Sequence, residues 1–184
     1  MSAKKTKEEL GSCKSSARIS SVYLGEEGLY NYVGDNDLMK NSIEQILAIL
    51  QREHYSEKTS PFTSEVALNL DEYELKCTKG KTKRDNTVDF VVCLDKNKLL
   101  LVEAKLNVVN VENIRNIFDK ISHSKDLLNV QPTSFSYHPD VVVLLGNDKF
   151  QQNSNRLRRM LIPRSMNVKP LRVSDFYVEY FKLD

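Results

Sequence analysis

Residues 87–106 read TVDFVVCLDKNKLLLVEAKL, and this stretch decides the fold. Two largely apolar runs, Thr87 to Asp95 and Lys98 to Leu106, flank Lys96 and Asn97, which is the pattern of a strand, a tight turn and a second strand. Three charged residues interrupt the apolar runs: Asp89, Glu103 and Lys105. Burying a carboxylate or an ammonium is costly unless a metal or an opposite charge compensates it, so their presence in core strands marks a site.

Side chains alternate along a strand. Leu99, Leu101, Glu103 and Lys105 therefore share one face of the second strand, with Leu100, Val102, Ala104 and Leu106 on the other. Asp89 joins the first set only if the turn has the right parity, because directly opposed residues of an antiparallel pair lie on the same side. A three-residue loop, Asp95-Lys96-Asn97, with a type I turn and Asn97 in the left-handed conformation, pairs Leu94 with Lys98 and brings Asp89 opposite Glu103. A two-residue loop turns Asp89 away unless a bulge corrects it.

Outward from this hairpin, Asp37 is a candidate N-cap for a helix carrying Met39, Ile43, Ile46, Leu47 and Leu50 on one stripe. Glu44 falls on the flank of that stripe, where a helix over a sheet reaches a cleft; a solvated acid is the competing reading. Phe62 to Cys77 reads as strand, with Val66, Leu68 and Leu70 in one parity and Tyr73, Leu75 and Cys77 in the other, so a bulge or turn is expected near Asp71 and Glu72. Glu65 is a weaker candidate for the site than Glu44. Val111, Ile114, Phe118, Ile121 and Leu128 mark a second helix, on whose face Arg115, Lys120 and Lys125 read as solvated or groove-lining cations. Asp140 to Leu145 is a short continuous apolar run of Val and Leu, the mark of a strand buried on both faces, and Gly146 closes it. A helix over Lys149–Ile162 with Arg156, Arg158 and Arg159 near its end, and a final strand over Leu171–Phe181, complete the reading.

With Val88-Asp89 on one apolar strand and Glu103-Ala104-Lys105 on the next, the chain resembles the PD-(D/E)xK nuclease superfamily, Val standing in place of the Pro. The helix, three strands, helix and strand around these residues match that family's core over roughly residues 38 to 146. The resemblance implies an α/β domain, a central mixed β-sheet flanked by helices with a restriction-endonuclease-like α-β-β-β-α-β core, and a metal-dependent nuclease. It implies Asp89, Glu103 and Lys105 as catalytic residues. Asp89, Glu103 and the Ala104 carbonyl would be metal ligands, with Glu44 in the position of a first-helix Glu that often joins them. Carboxylates are hard donors suited to Mg2+ or Mn2+, and Lys105 would orient the attacking water or balance charge on phosphorus. A buried ion-pair cluster is the structural alternative, yet such clusters seldom add stability over apolar packing.

At 184 residues, with 40% hydrophobic and 28% charged residues, the chain is large enough for a core and unlike a disordered polymer. We divide it into an N-terminal arm and irregular segment, 1–37, and a nuclease domain, 38–184. Net charge is only +2, so contact with nucleic acid needs local clustering. Lys79, Lys81, Lys83 and Arg84, beside the strand of Asp89, supply one such cluster, although a lysine-rich hairpin loop would look the same. Cys13, Cys77 and Cys93 form no CxxC pair, and the three histidines lack ligand spacing, which speaks against zinc and for a reducing, cytoplasmic setting. No apolar run reaches the roughly 18 residues of a membrane span.

The expected partner is nucleic acid, DNA before RNA, with no membrane. A homodimer is expected if both strands of a duplex are cut symmetrically. Competing functions are a non-catalytic nucleic-acid-binding or interaction module on the same scaffold, and a hydrolase or transferase acting on another phosphate substrate.

Overall fold

A computed structural model describes residues 22–79, 86–107, 111–129, 134–161 and 167–182. The elements run α1 (Gly25–Val33), α2 (Asp37–Lys40), β1 (Ile43–Gln45), α3 (Ile46–Arg52), β2 (Val66–Asn69), α4 (Leu70–Cys77), β3 (Phe90–Leu94), β4 (Lys98–Lys105), α5 (Val111–Leu128), β5 (Ser136–Tyr137), β6 (Val141–Leu145), α6 (Phe150–Leu161), β7 (Val168–Leu171) and α7 (Val173–Tyr180). Among the described residues, seven strands form one mixed sheet in the order β1-β2-β3-β4-β6-β7, with β5 paired to the start of β4. The strands β1 to β4 are antiparallel to their neighbours, and β4, β6 and β7 run parallel. Among the described residues no helix is long and apolar enough to cross a membrane.

The β3–β4 hairpin organises the sheet. Leu94 pairs with Lys98 and Phe90 with Val102, the register of a three-residue loop, and one further step along it sets Asp89 opposite Glu103. Both Lys96 and Asn97 have positive φ, 56° and 54°. The loop thus differs from the expected type I turn, in which Asn97 alone is left-handed, without altering the register.

Alternation divides the core in two. Val91, Cys93, Leu99, Leu101, Val143 and Leu145 face a cluster built with Leu29, Tyr32 and Val33 of α1 and Ile114, Ile117 and Ile121 of α5. Phe90, Val92, Leu100, Val102, Ala104, Val142 and Leu144 face a second cluster with Ile46, Ile49 and Leu50 of α3 and Val173, Phe176 and Tyr180 of α7. All five residues of β6 are buried, as its apolar run requires.

Four segments differ from the sequence reading. Residues Gly25–Val33, within the segment expected to be irregular, form α1, because packing Leu29, Tyr32 and Val33 on the sheet outweighs the low helix propensity of its glycines. The helix expected after Asp37 is broken: Asn36, not Asp37, is the N-cap, its side chain accepting from the Met39 N–H. The chain then turns at Asn41 and Ser42, and Glu44 lies on β1 opposite Ala67. The apolar stripe is a coincidence of spacing, since Met39 and Ile43 join one core cluster and Ile46, Ile49 and Leu50 the other.

The strand expected over Phe62–Cys77 keeps only Val66–Asn69. There Asn69 accepts from the Glu72 N–H and starts α4, so the expected bulge near Asp71 is a helix start. The final strand expected over Leu171–Phe181 is instead the end of β7 followed by α7. Val173, Phe176 and Tyr180 are buried while Val178 is 60% exposed, the period of a helix and not of a strand.

Candidate active site: a buried four-charge cluster

β3 begins at Phe90, and the backbone ladder to β4 reaches no further back than that residue. Asp89 stands just before it, and its Oδ2 accepts from the Ala104 N–H, which the ladder no longer pairs. The segment leading to it is pinned from both sides. Thr87 Oγ1 donates to Asp71 Oδ1 at 2.6 Å, and the Val88 N–H donates to the buried Ser124 Oγ of α5 at 2.9 Å. Asp89 is held by sheet, α4 and α5 together.

Glu103 faces it from β4 and is 0% exposed, against 4% for Asp89. Lys105, two residues on and therefore on the same face, forms an ion pair with Glu103 Oε1, and its Nζ also donates to the Ala104 carbonyl at 3.1 Å. A fourth charge comes from α5. Lys120 Nζ lies 2.9 Å from Glu103 Oε1 and 3.1 Å from Oε2, and 3.7 Å from Asp89 Oδ1. The side chains of Lys105 and Lys120 are only 19% and 17% exposed.

Burial, and after it the charge of Glu103, pushes the Asp89 carboxyl up to about 8. Burial pulls the Lys120 ammonium down, but Glu103 and Asp89 outweigh it, and its pKa lies above the ordinary lysine value. The centre can therefore hold a proton on Asp89 while the Lys120 ammonium stays charged.

Glu44 is elsewhere. It shares the face of Ala67, in the cluster opposite to the one that Glu103 faces. Arg52 donates two hydrogen bonds to its carboxylate, at 2.5 and 2.6 Å, and Asn69 a third at 2.8 Å. These hydrogen bonds, those of Arg52 foremost, hold its carboxyl below the usual range despite partial burial. Glu65 is used locally, its carboxylate accepting from the Thr63 and Ser64 N–H groups. Lys79 is exposed, while Lys81, Lys83 and Arg84 lie outside the described residues. Arg115 is exposed, and Lys125 lies 5.2 Å from the centroid of the Tyr137 ring.

Lys120 is the member that sequence reasoning missed. It reads as a solvated cation on the helix face, yet it falls between Ile117, Ile121 and Ser124, on the stripe that α5 buries. A lysine at three and four residues from buried neighbours was the available signal.

The donor set fits a hard divalent cation. Asp89, Glu103 and the Ala104 carbonyl offer oxygens only, and Mg2+ accepts one or two carboxylates with water completing its shell. The Lys120 ammonium already sets a positive charge between the two carboxylates, which marks where a cation is wanted. Asp71 is near enough for its charge to act on Lys120, but among the described residues no group of three or more His, Cys, Asp or Glu could hold a metal ion. A cleft of about 250 Å³ between α3 and α4 reaches Asp89, bordered by Arg52, Asn69, Asp71 and Glu72.

No protein-family model matches the chain, and neither does any curated protein or any solved structure.

Proposed function

We propose that the protein is a metal-dependent nuclease built on a restriction-endonuclease-like core, with DNA as the favoured substrate. The observation that carries this reading is the proximity of two buried carboxylates, Asp89 just before β3 and Glu103 on β4, around the Lys120 ammonium, with Lys105 paired to Glu103. Buried ion pairs rarely improve on apolar packing, so four charges concentrated in one part of the core are best understood as serving chemistry.

In this reading Asp89, Glu103 and the Ala104 carbonyl hold a Mg2+ or Mn2+ ion, which supplies Lewis acidity toward a phosphoryl oxygen. Lys105 orients the attacking water and balances charge developing on the phosphorus. A divalent charge held there would favour the ionised form of Asp89, since a cation lowers the pKa of a carboxylate beside it. Phosphate contacts fall to the exposed Lys79 and to the exposed Arg158 and Arg159 of α6, a helix without an acidic residue, together with Lys81, Lys83 and Arg84, which follow Lys79 in sequence and lie outside the described residues.

The test is cleavage of mixed DNA and RNA substrates with Mg2+ or Mn2+, comparing the wild type with Asp89→Ala and Lys105→Ala at matched folding. Activity that needs the cation and disappears in both variants supports the reading. One observation favours a second reading, a non-catalytic nucleic-acid-binding module: the acidic pair is already held by two ammonium groups without any metal. Absence of cleavage on every substrate, with no calorimetric Mn2+ binding, would select it.

A further inference from the structure

The geometry points to Lys120 as an internal counter-cation that occupies the metal position of the acid pair, so that a divalent ion enters only as the Lys120 ammonium leaves. This rests on the metal-site reading above and adds to it the residue that controls entry.

Three observations carry it. First, the Lys120 ammonium contacts both oxygens of Glu103, at 2.9 and 3.1 Å, and stands 3.7 Å from Asp89 Oδ1. An ion held by both carboxylates and the ammonium therefore compete for the same few ångströms, and in a buried setting a divalent charge and an ammonium repel strongly. Second, Glu103 does not depend on Lys120 alone: Lys105 is a second ammonium on the same carboxylate, so Lys120 can depart without leaving Glu103 unpaired.

Third, the backbone beneath Lys120 is anchored while its side chain reaches water. Ile117, Ile121 and Ser124 are buried around it, and Ser124 is tied to the Val88 N–H. The Lys120 side chain is 17% exposed, so its flexible four-carbon stem can carry the charge out to solvent.

The experiment is calorimetric titration of the full chain with Mn2+, alongside thermal melting with and without Mn2+. It uses the wild type, Lys120→Met, Lys120→Gln and Lys120→Arg. Lys120→Met keeps the apolar stem and removes the charge, Lys120→Gln keeps a donor for Glu103, and Lys120→Arg keeps the charge.

The Met and Gln variants are expected to bind Mn2+ about tenfold tighter or more, within the range over which residues surrounding a metal move its affinity. Lys120→Arg should stay at the wild-type value. Without Mn2+ the Met variant should melt lower than the wild type, and it should gain more on Mn2+ addition. Should Lys120→Met not melt cooperatively, Lys120→Gln decides. Equal or weaker Mn2+ affinity in the folded neutral variants overturns the inference. If cleavage nevertheless remains cation-dependent and Asp89-dependent, the nuclease reading survives it. No Mn2+ binding by any of the four proteins, together with no cleavage, overturns both.

Discussion

Glu44 and the Asp89–Glu103 pair are carboxylates of one sheet in opposite circumstances. Glu44 sits on the edge strand β1, where a half-exposed Arg52 grips it bidentately and lowers its pKa. Asp89 and Glu103 sit at the centre, where burial outweighs every partner of Asp89 and raises its carboxyl to about 8. Near water a single guanidinium settles the charge. In the interior two ammonium groups are present and still leave Asp89 favouring its proton. Burial thus leaves the charge state of the centre open to change, whereas the edge pair is fixed by its guanidinium.

The sharpest test of this contrast is Glu103→Gln, which leaves Lys105 and Lys120 facing a neutral amide. Breaking a buried pair costs roughly 3–5 kcal/mol, and we expect about 3, the low end, because both lysines reach solvent. Denaturant unfolding reads this directly, and a loss below about 1 kcal/mol, the ceiling for surface pairs, would erase the difference between centre and edge.

Gly146→Ala comes next. A Cβ there would overlap the Leu106 carbonyl oxygen, so the backbone beside Lys105 must shift, at a cost of about 2 kcal/mol typical of overpacking. A variant as stable as the wild type would mean that the junction of β4 and β6 is looser than its geometry implies.

pH separates the two regions by sign. A carboxyl raised from about 4 to about 8 contributes stability that is complete below the unfolded value and is lost as pH rises through the folded one. Without divalent cations, the melting temperature of the wild type should therefore fall relative to Asp89→Asn as pH rises between those values. Parallel curves would remove the case for a proton on Asp89. Glu44, whose pKa is lowered, contributes in the opposite sense: its share is present above the ordinary glutamate value and disappears as pH falls through the lower folded one.

Arg52→Ala should have the smallest effect, under about 1 kcal/mol and weaker still at high salt, as for other exposed pairs. A larger loss would show that the edge pair supports β1 as firmly as the centre supports β4.

The hairpin was legible because two apolar runs flank a turn, and alternation placed Glu103 and Lys105 together, while the register depended on whether the loop held two or three residues. Elsewhere a cap decided the element. The Asn69 side chain accepts from the Glu72 N–H and starts a helix within a stretch whose alternation suggests strand. In α7 the same sequence admitted alternation and a 3.6-residue period, and only the exposure of Val178 separates them. Lys120 reads as a surface cation until the helix carrying it is placed on the sheet.

From the chain alone followed an α/β architecture, the β3–β4 hairpin, the buried run of β6, the helix α5 and the common face of Glu103 and Lys105, whereas the loop length that aligns Asp89 with Glu103 came from the structure. The former depend on local periodicity, which a sequence states outright. Tertiary structure alone decided that Glu44 belongs to an edge strand with Arg52, that α1 covers the sheet, and that Lys120 completes the cluster. Each of those depends on which surfaces meet, and burial against a distant element can override local propensity and pattern.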